Sequence, residues 1–183
     1  TLDKVRSLLQ PGDIILSARN SNAVTFEPVM AMAGVGGDWV HTGIYNGDGK
    51  VYEQHNSMEQ KPHASRARLS SLDEFVKRSN HLMILRPPYA NAQEVQDTLK
   101  ASQERLGQHY DYTFNLQNPS KMYCVAYTYL AVEKGAPSIQ LAEPDRALGH
   151  DVVSPKTFQK TPGMEPIYST GASFPLTYLS KFD

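Results

Sequence analysis

Two residue runs rich in aliphatic and aromatic side chains flank a short glycine-containing segment, and this pattern constrains the fold more than any other. The runs cover residues 39–46 and 50–54, and Gly47-Asp48-Gly49 separates them. Glycines between two such runs are typical of a β-hairpin, because tight connections require backbone angles that glycine adopts readily. We therefore predict two adjacent antiparallel strands.

The rest of the chain alternates between helical and extended patterns. Helix-capping residues, proline and glycine lie where these helices and strands are expected to begin or end. Ser71, Asn91, Ser120 and Ser154 are predicted helix caps. We predict helices near residues 2–9, 21–33, 72–76, 92–106 and 123–134, strands at 13–17 and 82–86, and a flexible loop at 34–37. After Gly135 we predict mostly irregular structure, with one further short helix that begins at Pro155. The order predicts one mixed α+β domain over residues 1–183, with an antiparallel sheet packed against helices.

The charge balance excludes one class of partner. The 183 residues include 18 Lys and Arg against 19 Asp and Glu, for a formal net charge of -1. Proteins that bind nucleic acid usually carry a basic stripe that neutralises phosphates, and here the cations are scattered among acidic residues. We therefore predict no nucleic-acid partner.

The cysteine count and the hydropathy limit other possibilities. With one cysteine, the chain forms no intramolecular disulfide and no zinc ribbon. Spanning a bilayer takes roughly 20 consecutive apolar residues, and no stretch approaches that length. We predict no metal site, no cofactor and no transmembrane segment. The first residue, Thr1, is not methionine, so we expect a trimmed product from which an export signal could have been removed.

Cys124 is the first candidate for chemistry. It falls in the first turn of the predicted helix 123–134, where backbone N–H groups and the helix dipole stabilise a thiolate. Most isolated cysteines are instead small buried hydrophobic residues. A nucleophile also needs a base, so Cys124 requires a partner elsewhere in the sequence.

His41 has the most rigid predicted setting of the six histidines. It lies in the first strand of the hairpin, and Gly43 on the same face leaves room for another group to approach. A third polar group must hold the imidazole in one tautomer. If the turn has three residues, Gly43 pairs opposite Glu53, and Glu53 shares the face of His41. A two-residue turn would instead present Gln54.

These residues resemble a known family. Residues 12–15 (GDII), 41–45 (HTGIY) and 49–53 (GKVYE) resemble the Gly-Asp strand, the His-x-Gly-Ile strand and the partner strand of NlpC/P60 papain-like peptidases. Ordinary members place the cysteine before these elements. Here Cys124 follows them, with residues 107–111 (GQHYD) before it, which resembles the circularly permuted, YiiX-like branch.

The resemblance implies a permuted papain-like fold and a cysteine peptidase or amidase. Cys124 would be the nucleophile, His41 the base and Glu53 the orienting residue, with Tyr123 and Asp111 as substrate-binding or oxyanion residues. The implied substrate is a peptidoglycan peptide or another acyl or amide compound. The implied location is the bacterial cell envelope, the periplasm or the exterior.

Two other functions remain open. Lecithin–retinol acyltransferase-like proteins also place histidine before cysteine, which would give a lipid acyl hydrolase or acyltransferase with Tyr127 and Tyr129 lining an apolar groove. Branch members often carry Ser-Glu after the cysteine, whereas Val125-Ala126 stands here. That difference leaves a catalytically inactive binding module as the second alternative.

Overall fold

A six-stranded antiparallel sheet is the central element of this computed structural model, which describes residues 2–18, 39–56 and 65–170. The strands lie in the order β10-β5-β1-β2-β3-β4. Two smaller pairs, β6 with β7 and β8 with β9, lie outside it. The elements are α1 Leu2–Leu8, β1 Ile14–Ala18, β2 His41–Tyr45, β3 Lys50–Gln54, β4 Ala67–Ser71, α2 Leu72–Lys77, β5 His81–Arg86, α3 Ala92–Gln103, β6 His109–Tyr110, β7 Lys121–Met122, α4 Cys124–Gly135, β8 Asp145–Ala147, β9 His150–Val152, α5 Pro155–Lys160 and β10 Glu165–Ser169.

Helices cover both faces of the sheet because successive strand residues point to opposite sides. On one side, Ile14, Leu16 and Ile44 pack in one cluster with Val125 and Tyr127 of α4. On the other side, the alternate strand residues pack against α1 and α2 in a second cluster, whose members include Val5, Ile15, Tyr45, Val51, Leu72, Phe75, Leu82 and Ile84. The mixed α+β class predicted from the sequence is confirmed.

The predicted caps fix several helix starts. Ser71 Oγ accepts a hydrogen bond from Glu74 N at 3.2 Å, and Asn91 Oδ1 accepts one from Glu94 N at 3.0 Å. Pro155 occupies the first position of α5, where its missing N–H costs no helical hydrogen bond. Local sequence therefore sets the beginnings of α2, α3 and α5.

The predicted cap at Ser120 is wrong. Asn118 Oδ1 accepts hydrogen bonds from the backbone N–H groups of Ser120 and Lys121, so Ser120 belongs to a turn that precedes β7. Tyr123 is the residue that caps α4; its backbone is extended, and its side chain makes no capping hydrogen bond to the helix. The helix consequently begins at Cys124.

Two strands of the main sheet lie where no strand was predicted from the sequence. They are β4 and β10, which form its two edges. Pro166 interrupts the pattern of β10, and an edge strand tolerates proline because one of its sides has no ladder partner. The chain after Gly135 is thus more regular than expected. The predicted helix at 21–33 and loop at 34–37 lie outside the described residues.

Among the described residues, none of the helices combines the length and the apolar character needed to cross a bilayer.

Candidate active site

Cys124 is the first residue of α4, at the positive end of the helix dipole. The first backbone hydrogen bond of this helix runs from Tyr127 N to Tyr123 O at 3.0 Å. The N–H groups of the residues between them precede that ladder and point out of the helix start. Such a helix start stabilises negative charge on a group placed against it.

The thiol lies at the beginning of strand β2. Cys124 Sγ is 3.7 Å from the carbonyl oxygen of Val40, the residue directly before His41, and 3.7 Å from the hydroxyl of Tyr110. The side chain of Cys124 is buried, with 2% of its surface exposed. Packing of α4 on the sheet thus brings the cysteine to the strand that carries the histidine.

His41 and Glu53 form a buried pair. His41 Nε2 lies 2.6 Å from Glu53 Oε2, and the two side chains are 5% and 0% exposed. The pairs Ile44–Tyr52 and Tyr45–Val51 fix the register of β2 and β3. This register corresponds to the three-residue turn, and continuing it by one residue places Gly43 opposite Glu53. Because Nε2 is engaged by the carboxylate, proton exchange with a thiol requires the other ring nitrogen, Nδ1.

The second oxygen of Glu53 has its own donors. Oε1 accepts from Ser70 Oγ at 2.5 Å, from Arg78 Nη2 at 2.5 Å and from Arg68 Nε at 3.3 Å. Burial by itself raises the pKa of this carboxyl, but the hydrogen bond and charge of His41 and the charge of Arg78 outweigh it and hold the pKa well below its usual range. Glu53 is therefore an ionised buried carboxylate.

Phe75 of α2 covers the imidazole. Its ring stacks on His41 with centroids 5.5 Å apart and 29° between planes. A Cβ added at Gly43 would lie 2.4 Å from Val51 Cγ1 and 2.9 Å from Phe75 Cε2. The glycine does leave room for approaching groups, as expected, and these groups are Val51 and Phe75.

Tyr123 and Asp111, predicted to bind substrate or the oxyanion, make hydrogen bonds within the chain. The Tyr123 side chain is fully buried, and its hydroxyl accepts from Val153 N at 2.7 Å and donates to Val153 O at 2.9 Å. Asp111 accepts from Thr113 N, Thr113 Oγ1 and Asn115 N, which orders a turn. A carboxylate is moreover an acceptor and cannot donate to an oxyanion. These contacts give no support to the substrate-binding prediction for either residue.

Several residues around the site were missed by the sequence reasoning. Tyr110 lies one position before Asp111 in the segment that carried the family resemblance, so its motif was available although the residue was not chosen. Thr42 lies beside His41 and donates from Oγ1 to Cys124 O at 3.1 Å. Ser70 and Arg78 reach Glu53 across 17 and 25 sequence positions, and no local pattern signals such contacts.

Within residues 2–18, 39–56 and 65–170, no three His, Cys, Asp or Glu side chains come together as a metal site would need. No residue is therefore assigned to a metal.

The fold and the site together define a papain-like cysteine hydrolase with its elements in permuted order. The cysteine begins a helix, this helix packs beside the strand that carries the histidine, and helices flank the sheet. The family model described as "Permuted papain-like amidase enzyme, YaeF/YiiX, C92 family" matches residues 8–168. The chain belongs to this family and is a cysteine peptidase or amidase.

A solved structure illustrates the shared fold. It is described as "Crystal structure of metalloprotein yiiX from Escherichia coli O157:H7, DUF1105", and it superposes with a TM-score of 0.68 at 17% sequence identity. The match covers 92% of this chain and 99% of that one. At this identity the likeness shows the fold alone. No curated protein matches the sequence.

Proposed function

We propose that this chain hydrolyses an amide bond in peptidoglycan peptides, with Cys124 as nucleophile, His41 as base and Glu53 as the residue that orients His41. The buried 2.6 Å contact between His41 Nε2 and Glu53 Oε2 carries the proposal, because it specifies which imidazole nitrogen serves the thiol. The amidase family supplies the reaction class. The NlpC/P60 resemblance supplies the substrate.

The reaction begins with transfer of the Cys124 thiol proton to His41 Nδ1. The thiolate then forms a C–S bond to the substrate carbonyl carbon, and the carbonyl oxygen takes the negative charge. The backbone N–H of Cys124 is a donor for this oxyanion, since it precedes the hydrogen-bond ladder of α4. The Tyr110 hydroxyl, 3.7 Å from Sγ, is the nearest side-chain donor we assign.

Collapse of this intermediate breaks the C–N bond. The proton on Nδ1 passes to the leaving amine, and a thioester remains on Cys124. Water then loses a proton to Nδ1 and attacks the thioester, which releases the carboxylic acid and restores the thiol. Glu53 stays ionised throughout and stabilises the imidazolium that forms in both steps.

The experiment is digestion of purified muropeptides followed by mass spectrometry of the products. We expect the native protein to release fragments that differ by hydrolysis of one amide bond, and Cys124→Ala and His41→Ala to release none. Near-ultraviolet circular dichroism checks that both variants fold. Normal turnover by either folded variant would overturn the assignment of the nucleophile or the base.

The lipid alternative is tested in parallel on phospholipid vesicles. The tyrosines that suggested it have core contacts: Tyr127 OH donates to Ser102 O at 2.6 Å, and Tyr129 packs on Phe158 with centroids 6.4 Å apart. Acyl release from vesicles without muropeptide cleavage would replace the peptidoglycan proposal. No turnover of either substrate, with a thiol of ordinary reactivity, would favour the binding module.

A further inference from the structure

Arg78 is placed to control Glu53 without touching a substrate. It follows the last residue of α2 and caps that helix with its backbone N–H. Its three guanidinium nitrogens each donate to a different acceptor: Nη2 to Glu53 Oε1 at 2.5 Å, Nη1 to His55 Nδ1 at 3.0 Å and Nε to Glu74 O at 3.1 Å. Arg78 also lies over Phe75, with Cζ 5.8 Å from the ring centroid. The guanidinium is therefore fixed in position and orientation.

The contacts of Glu53 are divided between its two oxygens. Ser70, Arg68 and Arg78 donate to Oε1, whereas His41 contacts Oε2. A carboxylate whose Oε1 is fixed in this way cannot rotate without breaking several charge-assisted hydrogen bonds, which are the strong ones in proteins. Oε2 is consequently held toward the imidazole.

His55 reinforces the orientation of the guanidinium. Its Nδ1 accepts from Arg78, which requires a ring without a proton on that nitrogen. Burial lowers the pKa of His55 to about 3, although the nearby Glu53 carboxylate raises it, and the charges of Arg68 and Arg78 lower it further. His55 thus stays neutral and keeps accepting at every pH at which the enzyme would work.

We propose that Arg78 is a positioning residue, whose guanidinium holds Oε1 of Glu53 so that Oε2 faces His41 and Cys124 becomes reactive. The proposal rests on the proposed function, because it assumes that Cys124 and His41 form the reactive pair. Lysine cannot replace arginine fully here, since a single ammonium does not reproduce the planar fork that serves three acceptors.

Removal of this cation changes the electrostatics of the whole cluster. A positive charge lowers the pKa of every titratable group near it, so its loss raises them. Three titratable groups contact Glu53 directly: His41 on β2, Arg68 on β4 and Arg78 at the end of α2. Two more contact these partners: His55 bonds to Arg78, and Glu74 bonds to Arg68. Cys124 of α4 lies against the carbonyl of Val40, the residue before His41.

The experiment measures the rate of Cys124 alkylation by iodoacetamide from pH 4 to pH 9. The chain has one cysteine, so the signal needs no correction for other thiols. In Arg78→Met we expect the pH at which the alkylation rate increases to be higher by about one unit than in the native protein. Arg78→Lys should shift it by less than half as much, because the charge is kept.

The matched control is Arg6→Met. Arg6 also forms an ion pair with α2, through Asp73, and within the described part of the chain it makes no hydrogen bond or ion pair with Glu53. Its alkylation profile should coincide with that of the native protein. A general weakening of α2 would move the Arg6 and Arg78 variants alike, and this outcome would overturn the proposal.

The two proposals fail differently. If native Cys124 loses its reactivity below neutral pH, as an ordinary thiol does, the Cys124–His41 pair and the proposed function fail together. If the native thiol reacts at low pH but Arg78→Met, folded by circular dichroism, has the same profile, then only the role of Arg78 is wrong.

Discussion

The hydroxyl of Thr42 donates to the backbone carbonyl of Cys124 at 3.1 Å and lies 2.9 Å from the hydroxyl of Thr128. Thr42 follows His41 directly on β2. One strand thus carries His41 and also the residue that bonds to the first residue of α4. Thr42 and Thr128 are both fully buried.

Thr42→Val should separate the nucleophile from the base without a change in side-chain volume. We expect a loss of about 1–2 kcal/mol in the free energy of unfolding, since a buried hydrogen-bonding group is left with fewer partners. We also expect at least a tenfold fall in muropeptide turnover, because small displacements of reacting groups are costly. Urea unfolding and steady-state kinetics measure the two effects.

The control for this prediction is Thr128→Val. It breaks the contact between the two hydroxyls but keeps the bond from Thr42 to Cys124. Its stability should fall by a similar amount while turnover stays near the native value. Equal losses of turnover in both variants would show that the Thr42–Cys124 bond has no special role.

Gly43→Ala should disturb the imidazole through Phe75. The new Cβ would lie within 3 Å of Val51 Cγ1 and Phe75 Cε2, and overpacking of this kind typically costs about 1–3 kcal/mol. Because Phe75 stacks on His41, its displacement should slow Cys124 alkylation at low pH. The variant Gly43→Ala/Val51→Ala removes the contact between the new Cβ and Val51 Cγ1. It should recover part of the lost stability and part of the lost alkylation rate. Strictly additive effects in this double-mutant cycle would contradict the prediction.

Glu53 should make the fold sensitive to strong acid. Its folded pKa lies below the usual value of 4.5, so the unfolded chain binds a proton first as the pH falls. The stabilisation is fully present above that value and is lost as the pH falls through the folded pKa. In urea unfolding at pH 2.5 to 7, the stability difference between the native protein and Glu53→Gln should be constant above about pH 5 and shrink below it. A difference that does not change with pH would contradict the lowered pKa.

His55 should contribute a second acid sensitivity over a higher pH range. Its pKa falls from 6.5 to about 3 on folding, so the unfolded state binds the proton more tightly. Stability from this residue is complete above the unfolded value and decreases between pH 6.5 and about 3. His55→Gln should flatten the stability profile between pH 6.5 and 5, where Glu53 contributes little. The control variant is His150→Gln, because His150 contacts the carbonyl oxygen of Phe114 and not the Glu53 cluster.

Local signals were sufficient for part of this structure. The glycines between the two strands predicted the hairpin of β2 and β3, and the length of the turn sets its register. His41 and Glu53 are only 12 residues apart, so their contact could be predicted from this local pattern. The start of α4 was predicted within a few residues although its cap was wrongly assigned to Ser120. The roles of Cys124, His41 and Glu53 in catalysis stay predictions.

The remainder depends on contacts that the sequence does not encode locally. The β4 strand contains Arg68, Ser70 and Ser71 in five residues, a composition with low strand propensity, and pairing with β3 overrides it. Arg78 follows an ordinary short helix, and its role emerges only once α2 packs beside Glu53. Tertiary packing, rather than propensity, therefore creates the environment of the carboxylate.

The bond between Thr42 and Cys124 spans 82 positions, which has a consequence for the order of assembly. The hairpin with His41 and Glu53 emerges from the ribosome well before α4, and its contacts close early because they are local. In the proposed mechanism, the thiol gains its base only after the chain has closed a loop of that length, and non-local contacts of this kind form slowly. A nascent or misfolded chain would therefore carry an ordinary, weakly nucleophilic cysteine, and reactivity toward electrophiles would report the completion of folding.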